Sequence, residues 1–461
     1  MRGSKARSAI WLACFTLVLG VSRPIAAAEP PRPALNLGAL EQLACDHNPT
    51  LRQAGANIEA AQGRAQQAGL YPNPTFGYTA ERIGAAGTAG EMQGIFIDQT
   101  IVTAGKLKLS RAKYAQEASQ TTALALAQQY RVVNSVRIRF YQLLAMQRLL
   151  EVRADLLKVA DDAVHTTEEL LNVGAANKPD LLQARIEARQ ERVALENART
   201  QYEAAWQQLT ALVGVPDLAV SRLDGDLEGA APLPDFDATL AHLLEASPEI
   251  QVAIAEVART RIGLKREQVE PIPNLQVRLA NGYDFETRRD VTSVQVGVRL
   301  PIFDKNQGNI RTARVQVAYA EAEVCRVQLS LRQRLARAYA RYRTARAVVE
   351  SYQKENLPEA KEAYDLYLDS FRKRRAAWPQ VLVAQRTYFQ FSVEYTEALA
   401  DLRCAEVAIL GLLLADGLNE PPNAPSAGEQ GQRSGREGGA LCEPINGRGG
   451  RSLENRFGGH D

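Results

Sequence analysis

Apolar residues recur along this chain with two different periods. Between 291 and 302 they alternate: Val294, Val296, Val298, Leu300 and Ile302 fall on one face, with Ser293, Gln295, Gly297 and Arg299 on the other. Leu275, Val277 and Leu279 alternate in the same way with Gln276, Arg278 and Ala280. Ile95, Ile97 and Ile101 do so less cleanly against Gly94, Phe96 and Asp98. A period of two marks a strand with one apolar and one polar face. Four strands are predicted, at about 73–83, 91–101, 274–284 and 291–302.

Elsewhere the spacing is three and four. Leu181, Ala184, Ala188, Glu191, Leu195, Ala198, Tyr202, Ala205, Leu209 and Leu212 make a heptad seam, apolar or aromatic at all but Glu191. Val381, Ala384, Tyr388, Phe391, Tyr395, Ala398, Leu402, Ala405, Ile409 and Leu412 make a second one, 200 residues further on. A very long helix is predicted from about Gly105 to Leu171, roughly 100 Å at ~1.5 Å per residue. It carries two seams, one through Val136, Phe140, Leu143 and Leu150 and another through Ala145, Leu149, Val152 and Leu156. Two seams imply a helix packed between two neighbours, as in a helical wall or barrel. An antiparallel bundle with a filled core satisfies the same alanine-rich stripes, so periodicity leaves both open.

The chain also repeats itself, and a long internal period outranks local signals. "AANKPDLLQARIE" (175–187) aligns with "RAAWPQVLVAQRT" (375–387), placing Pro179 on Pro379. "HNPTLRQAGANIEAA" (47–61) aligns with "ASPEIQVAIAEVART" (246–260), and "YPNPTFGY" (71–78) with "EPIPNLQV" (270–277). Two copies follow, 36–217 and 235–418, joined by a Pro-, Gly- and Asp-rich linker at 218–234. Each reads helix, two strands, very long helix, helix. Residues 419–461 have the composition of a disordered tail.

The strands favour a membrane. Their length fits the ~9–11 residues of a transmembrane β-strand. Tyr71, Tyr78, Tyr283, Phe285 and Phe303 sit near strand ends, where interfacial aromatics are favoured. Four strands cannot close a barrel, which takes about eight or more. Copies of the chain must therefore share one, predicting a ring-like homo-oligomer.

Composition adds limits. The 461 residues carry a formal net charge of +2. Residues 1–28 read as a secretory signal: Arg2, Lys5 and Arg7, an apolar run from Ile10 to Val21, and Ala26–Ala28 before Glu29. Losing them removes four bases and no acid, so the remainder sits at −2, which argues against nucleic-acid binding. No other stretch reaches the ~18 apolar residues of a membrane helix. Cys45, Cys325, Cys404 and Cys442 are scattered, and His47, His165, His242 and His460 lack metal spacing. "AGKLKLS" (104–110) lacks the rest of a phosphate-binding loop, and "GAAGTAG" (84–90) reads as a hairpin loop. Neither an enzyme nor a cofactor is indicated.

Asn48-Pro49, "YPNP" at 71–74, "LPIFDKNQGNI" at 300–310 and "VLVAQRTYFQFSVEYTEAL" at 381–399, in this duplicated order, resemble the TolC family of outer-membrane efflux proteins. The wording at 300–310 is most similar to its CzcC-like metal-efflux branch. The resemblance implies a homotrimer that pools its strands in one outer-membrane β-barrel and its helices in a periplasmic α-barrel. It also implies a periplasmic adaptor and an inner-membrane pump, often of the resistance-nodulation-division class, as partners. The expected function is a passive exit duct for small solutes, with heavy-metal cations as cargo. A multidrug or type I protein-secretion duct is the alternative within transport, and a soluble periplasmic coiled-coil scaffold the alternative outside it.

Two regions become candidate sites. The helical turns at 170–180 and 370–380 would form the periplasmic tip. Gly174 suits a left-handed helix end, and Asp180, Asp365, Asp369, Arg372, Lys373, Arg374 and Arg375 are charges for docking or closure. Charge runs also mark plain solvated surface. TolC-like proteins often carry paired acids just after the second turn; this chain has Gln380 and Val383 there. The second region is the strand-to-helix hinge. Pro301 is expected to end the ladder, Asp304 to lie in the bend and Gly308 to take an unusual φ. Val294, Val296, Val298 and Leu300 are expected to face lipid.

Overall fold

The computed structural model describes residues 35–81, 92–174, 176–229, 233–373 and 375–422. The expected signal segment, the 84–90 loop, Arg374, and the tail beyond 422 lie outside the described residues. The fold is mostly helical with a small sheet part.

Each repeat opens with two helices where one was expected. α1 (Leu37–His47) and α2 (Pro49–Gln67) are separated by Asn48, and α5 (Phe236–Ala246) and α6 (Pro248–Val269) by Ser247. A residue before proline is driven out of the helical region; Asn48 and Ser247 both have ψ near 122–124°. Asn48 then caps α2 by accepting the Thr50 N–H at 2.9 Å, while its Nδ2 donates to the Leu212 carbonyl at 2.7 Å. β1 (Leu35–Asn36) pairs in parallel with β4 (Leu223–Asp224), so the linker is packed, with Leu223 and Leu227 in the main core.

β2 (Thr75–Glu81), β3 (Met92–Ile101), β5 (Leu275–Asp284) and β6 (Arg289–Val298) form one antiparallel sheet in that order. Register places Phe76, Ile97, Leu279 and Val294 in one row. Residues directly opposite one another share a face, so the apolar sets of all four strands lie together. Phe76, Tyr78, Ile95, Ile97, Leu279, Val294, Val296 and Val298 are all exposed on it. The other face carries Thr75, Asp98, Arg278 and Gln295, with the Arg278 guanidinium 4.0 Å over the Phe96 ring.

α3 (Lys106–Asn172) is one unbroken helix of 67 residues. Toward the sheet it packs between α2 and α6; further out it packs between α4 (Lys178–Val213) and α9 (Trp378–Leu410). α7 (Gln307–Ser351) closes the row beside α6 and α9. The helices thus form a wall of columns: α2 and α4, then α3, then α6 and α9, then α7 and its continuation. The column order repeats the strand order. This is the two-sided packing that the two seams of α3 require. Every apolar seam residue of α4 named above is buried, and Glu191 is half-buried. The main core, around Leu40, Phe140, Leu143, Leu209, Leu331 and Leu335, sits where α1, α5 and the linker cover the wall.

The second long helix differs from expectation. α7 stops at Ser351, a π-helical turn runs from Tyr352 to Asn356, and α8 (Leu357–Arg372) resumes. Pro358 is the cause: it has no N–H, and its ring would strike the carbonyl four residues back. The backbone widens instead, and the Leu357 N–H donates to the Tyr352 carbonyl.

The hinge also departs from the sequence reading. The ladder ends at the Leu275–Val298 pair, so Leu300 and Pro301 lie beyond the strand rather than closing it. Gly308 sits in the first turn of α7, and the left-handed residue is Asn306, at φ 60°. Asn306 holds that conformation through its side chain, whose Nδ2 donates to the Glu267 carbonyl (2.9 Å) and to Glu267 Oε2 (2.8 Å). Asn tolerates this region because a short polar side chain can bond locally. Asp304 accepts the Asn306 N–H at 2.8 Å.

Candidate functional site at the helical tip

The wall ends in two turns, α3 to α4 and α8 to α9. Gly174 is left-handed, with φ 72°. Its N–H donates to the Leu171 carbonyl and that of Ala176 to Leu170, which satisfies carbonyls at the end of α3. Asn177 starts α4 by accepting the Asp180 N–H at 3.0 Å, and Asp180 Oδ2 accepts the Asn177 N–H at 3.2 Å. Asp180 is thus one half of a capping box. At the second turn Gln380 fills that place, its Oε1 accepting the Ala377 N–H at 3.2 Å. The second repeat keeps only this half of the box, with a neutral amide in place of the acid, because Ala377 has no side chain that can accept the Gln380 N–H.

A small core holds the two turns together. Trp378, Val381 and Leu382 of the second hairpin pack with Ala184 of the first, flanked by Val164, Tyr364, Leu368 and Phe371. The Trp378 and Phe371 ring centroids are 5.0 Å apart. Trp378 is 4% exposed. Its position ahead of Pro379 at the helix start was the available sequence signal.

The candidate charges are not all brought together. Lys373 pairs with Asp369 of its own helix at 2.6 Å. Arg372, Arg375 and Asp365 are exposed. The acids of the first hairpin pair instead with α4: Glu168 with Arg185 at 2.6 Å, and Asp161 with Arg192 at 3.4 Å. The charged contact between hairpins comes from a pair that the sequence pattern does not single out. Arg386 of α9 pairs with Glu187 of α4, and Gln183 Nε2 donates to the same carboxylate at 3.0 Å.

Behind that pair lies a cavity of about 320 Å³, lined by Arg153, Glu187, Glu191, Gln385, Arg386, Glu394 and Glu397 among others. Arg153 and Glu191 pair at 3.1 Å. Burial, then the carboxylates of Asp401 and Glu394, push Glu397 above the usual carboxyl range. Glu394 accepts from the hydroxyl of Tyr352, at the π turn, and that bond is the main reason the phenol is pushed up to about 12. Tyr352 also meets Phe391 edge-on, with centroids 5.4 Å apart. Among the described residues no group of His, Cys, Asp and Glu is arranged to hold a metal ion.

An open sheet with one bare apolar face, continued column by column into a helical wall whose longest helix, α3, spans roughly 100 Å, has the layout of an outer-membrane channel subunit with a long helical extension. The profile of the outer membrane efflux protein family matches residues 40–215 and 226–413, and the chain belongs to that family. The cobalt-zinc-cadmium resistance protein CzcC of Cupriavidus metallidurans is 26% identical over 379 residues, covering 81% of this chain and 89% of its own. The nickel-cobalt-cadmium resistance protein NccC of Alcaligenes xylosoxydans xylosoxydans is 25% identical over 334 residues, 70% of this chain and 73% of its own. The fold matches the outer membrane protein VceC from Vibrio cholerae with a TM-score of 0.68 at 18% identity, covering 82% of this chain and 96% of VceC. CusC matches with a TM-score of 0.71 at 15% identity, covering 82% and 92%. The protein is an outer-membrane efflux channel of a tripartite system, served by an adaptor and an inner-membrane pump. It is a passive duct and not an enzyme, and its helices extend into the periplasm.

Proposed function

We propose that three copies close into one tube that exports heavy-metal cations delivered by a resistance-nodulation-division pump. The observation that supports closure into a ring is the pair of open edges; the number three is what the family resemblance implies. Among the described residues β2 and β6 each have a single neighbour. The wall ends at α4 on one side and at α7 and α8 on the other, and both edges are apolar: Leu182, Ile186 and Val193 on α4, and Val315, Tyr319, Leu329 and Leu366 opposite, are all exposed. Unpaired strand edges and bare helix faces need covering. Pairing β2 of one copy with β6 of the next covers both at once and closes a ring.

The cargo reading rests on CzcC and NccC, whose names state cobalt, zinc, cadmium and nickel resistance. The tip turns, with Arg372, Lys373 and Arg375 exposed, are the proposed adaptor contact. A deletion strain tests the cargo. Sensitivity to cobalt, zinc or cadmium, restored by the intact gene, is the expected result. Unchanged metal tolerance with new sensitivity to organic antibiotics would replace metals by drugs as cargo. A sedimentation mass of one or two copies in detergent would overturn the trimer.

A further inference from the structure

β6 ends at Val298, but the apolar surface runs on past it. Leu300 and Ile302 are exposed beyond the strand, and Phe303 is 91% exposed. Leu70 and Tyr71 before β2, and Ile272 before β5, are exposed at the same helix-side rim of the sheet. The rim is fixed by register: Leu275 lies between Ile101 and Val298, and Gln99 Nε2 donates to the Pro72 carbonyl at 2.9 Å. Arg299 and Lys305 bracket the apolar run. Neither side chain has an ion-pair or hydrogen-bond partner among the described residues. The single acid of this loop, Asp304, is turned back onto the Asn306 N–H, and Asn306 pins the base of the loop to Glu267 of α6.

We propose that residues 299–305 are a lipid anchor that binds anionic glycerophospholipid in the periplasmic leaflet of the outer membrane. The loop continues the lipid-facing surface of the sheet, at the level where hydrocarbon gives way to headgroups. Leu300, Ile302 and Phe303 reach acyl chains, and Arg299 and Lys305 meet the phosphate. Long basic side chains can keep their charge in the headgroup layer while their stems lie on apolar surface, and anionic lipid attracts such charges. The pinned base holds the wedge in place rather than leaving it to fold back onto the wall.

The test uses the full-length oligomer in vesicles carrying brominated acyl chains. Trp206 and Trp378 of the helical wall supply the background emission. Phe303→Trp should lose most of its added emission in brominated phosphatidylglycerol and clearly less in brominated phosphatidylethanolamine. Arg299→Gln with Lys305→Gln, in the same background, should abolish that difference. Val296→Trp, on the sheet, should be quenched alike in both. Emission from Phe303→Trp that stays unquenched while that from Val296→Trp is quenched would overturn the anchor. Equal quenching of Phe303→Trp in the two lipids would overturn the headgroup preference. If the variants fail to assemble, native mass spectrometry of the unmodified oligomer decides: preferential retention of phosphatidylglycerol supports the anchor, and equal retention overturns it. None of these outcomes depends on the cargo.

Discussion

Arg386 of α9 and Glu187 of α4 form an ion pair that joins the tips of the two repeats across the neighbouring α3 column. They are not repeat equivalents: the alignment sets Glu187 on Thr387 and Ile186 on Arg386. The equivalent positions hold Thr387 and Ile186, so the duplicated hairpins face each other with complementary rather than identical charge. The Arg386 side chain is 57% exposed and that of Glu187 15%. Solvent screens the pair from the arginine side, and Gln183 still donates to the carboxylate when the arginine is lost, which keeps the loss to ~1 kcal/mol. Arg386→Ala should therefore leave the unfolding temperature almost unchanged. It should raise single-channel conductance in planar bilayers by loosening the tip. Exchanging the charges, with Glu187→Arg and Arg386→Glu, should restore the original conductance. Unaltered conductance in Arg386→Ala would show that the pair does not restrain the tip.

Tyr352 ties the π turn to Glu394 on α9. Loss of the hydroxyl in Tyr352→Phe removes a hydrogen bond to a charged acceptor, worth ~1 kcal/mol or more. Limited proteolysis at the 372–378 turn should become faster. The folded pKa of about 12 lies above the usual tyrosine value of 10.0, so the protonated phenol is the form that folding favours. Its contribution is complete below pH 10.0 and lost as pH rises through about 12. The difference between the parent and Tyr352→Phe should thus be flat from neutral to mildly alkaline pH.

Glu397 works in the opposite direction at neutral pH. Its folded pKa is raised, chiefly by burial, so the neutral form is favoured and ionisation costs stability as pH rises through the folded value. Glu397→Gln should raise the thermal midpoint at neutral pH. The gain should shrink as pH falls through the carboxyl range and the parent protonates. A midpoint that is lower at neutral pH would show that attraction to Arg153 outweighs burial.

The two faces of the sheet predict opposite responses to one substitution. Val296→Arg puts a charge on the exposed apolar face, which is proposed to meet lipid; there it would cost ~2–4 kcal/mol near the bilayer midplane and should abolish the heat-modifiable outer-membrane form. Gln295→Arg, one residue away on the other face, should leave assembly intact and change only conductance.

At the tip, Arg372→Glu with Arg375→Glu alters exposed side chains and should leave the oligomer folded. Adaptor cross-linking and efflux should fall together. Unchanged cross-linking would reduce these arginines to solvated surface.

The apolar patterns alone determined most of this protein. Period two at 291–298 and period three-four in α3, α4 and α9 are local steric facts, and the seam from Leu181 to Leu212 is buried as its spacing requires. The duplication was legible because each copy repeats the same solvent sequence of core, lipid and periplasm. Tertiary structure alone decided the rest. Pro358 breaks a helix by a π turn instead of ending it, because α9 keeps α7 and α8 in one column. Asn306 takes the left-handed turn that Gly308 was expected to take, because Glu267, 39 positions earlier in the chain, holds its side chain. Glu187 and Arg386 meet although 199 positions separate them. A seam needs only its own helix to be read, whereas these contacts depend on which columns become neighbours, and that follows from the packing of the whole wall.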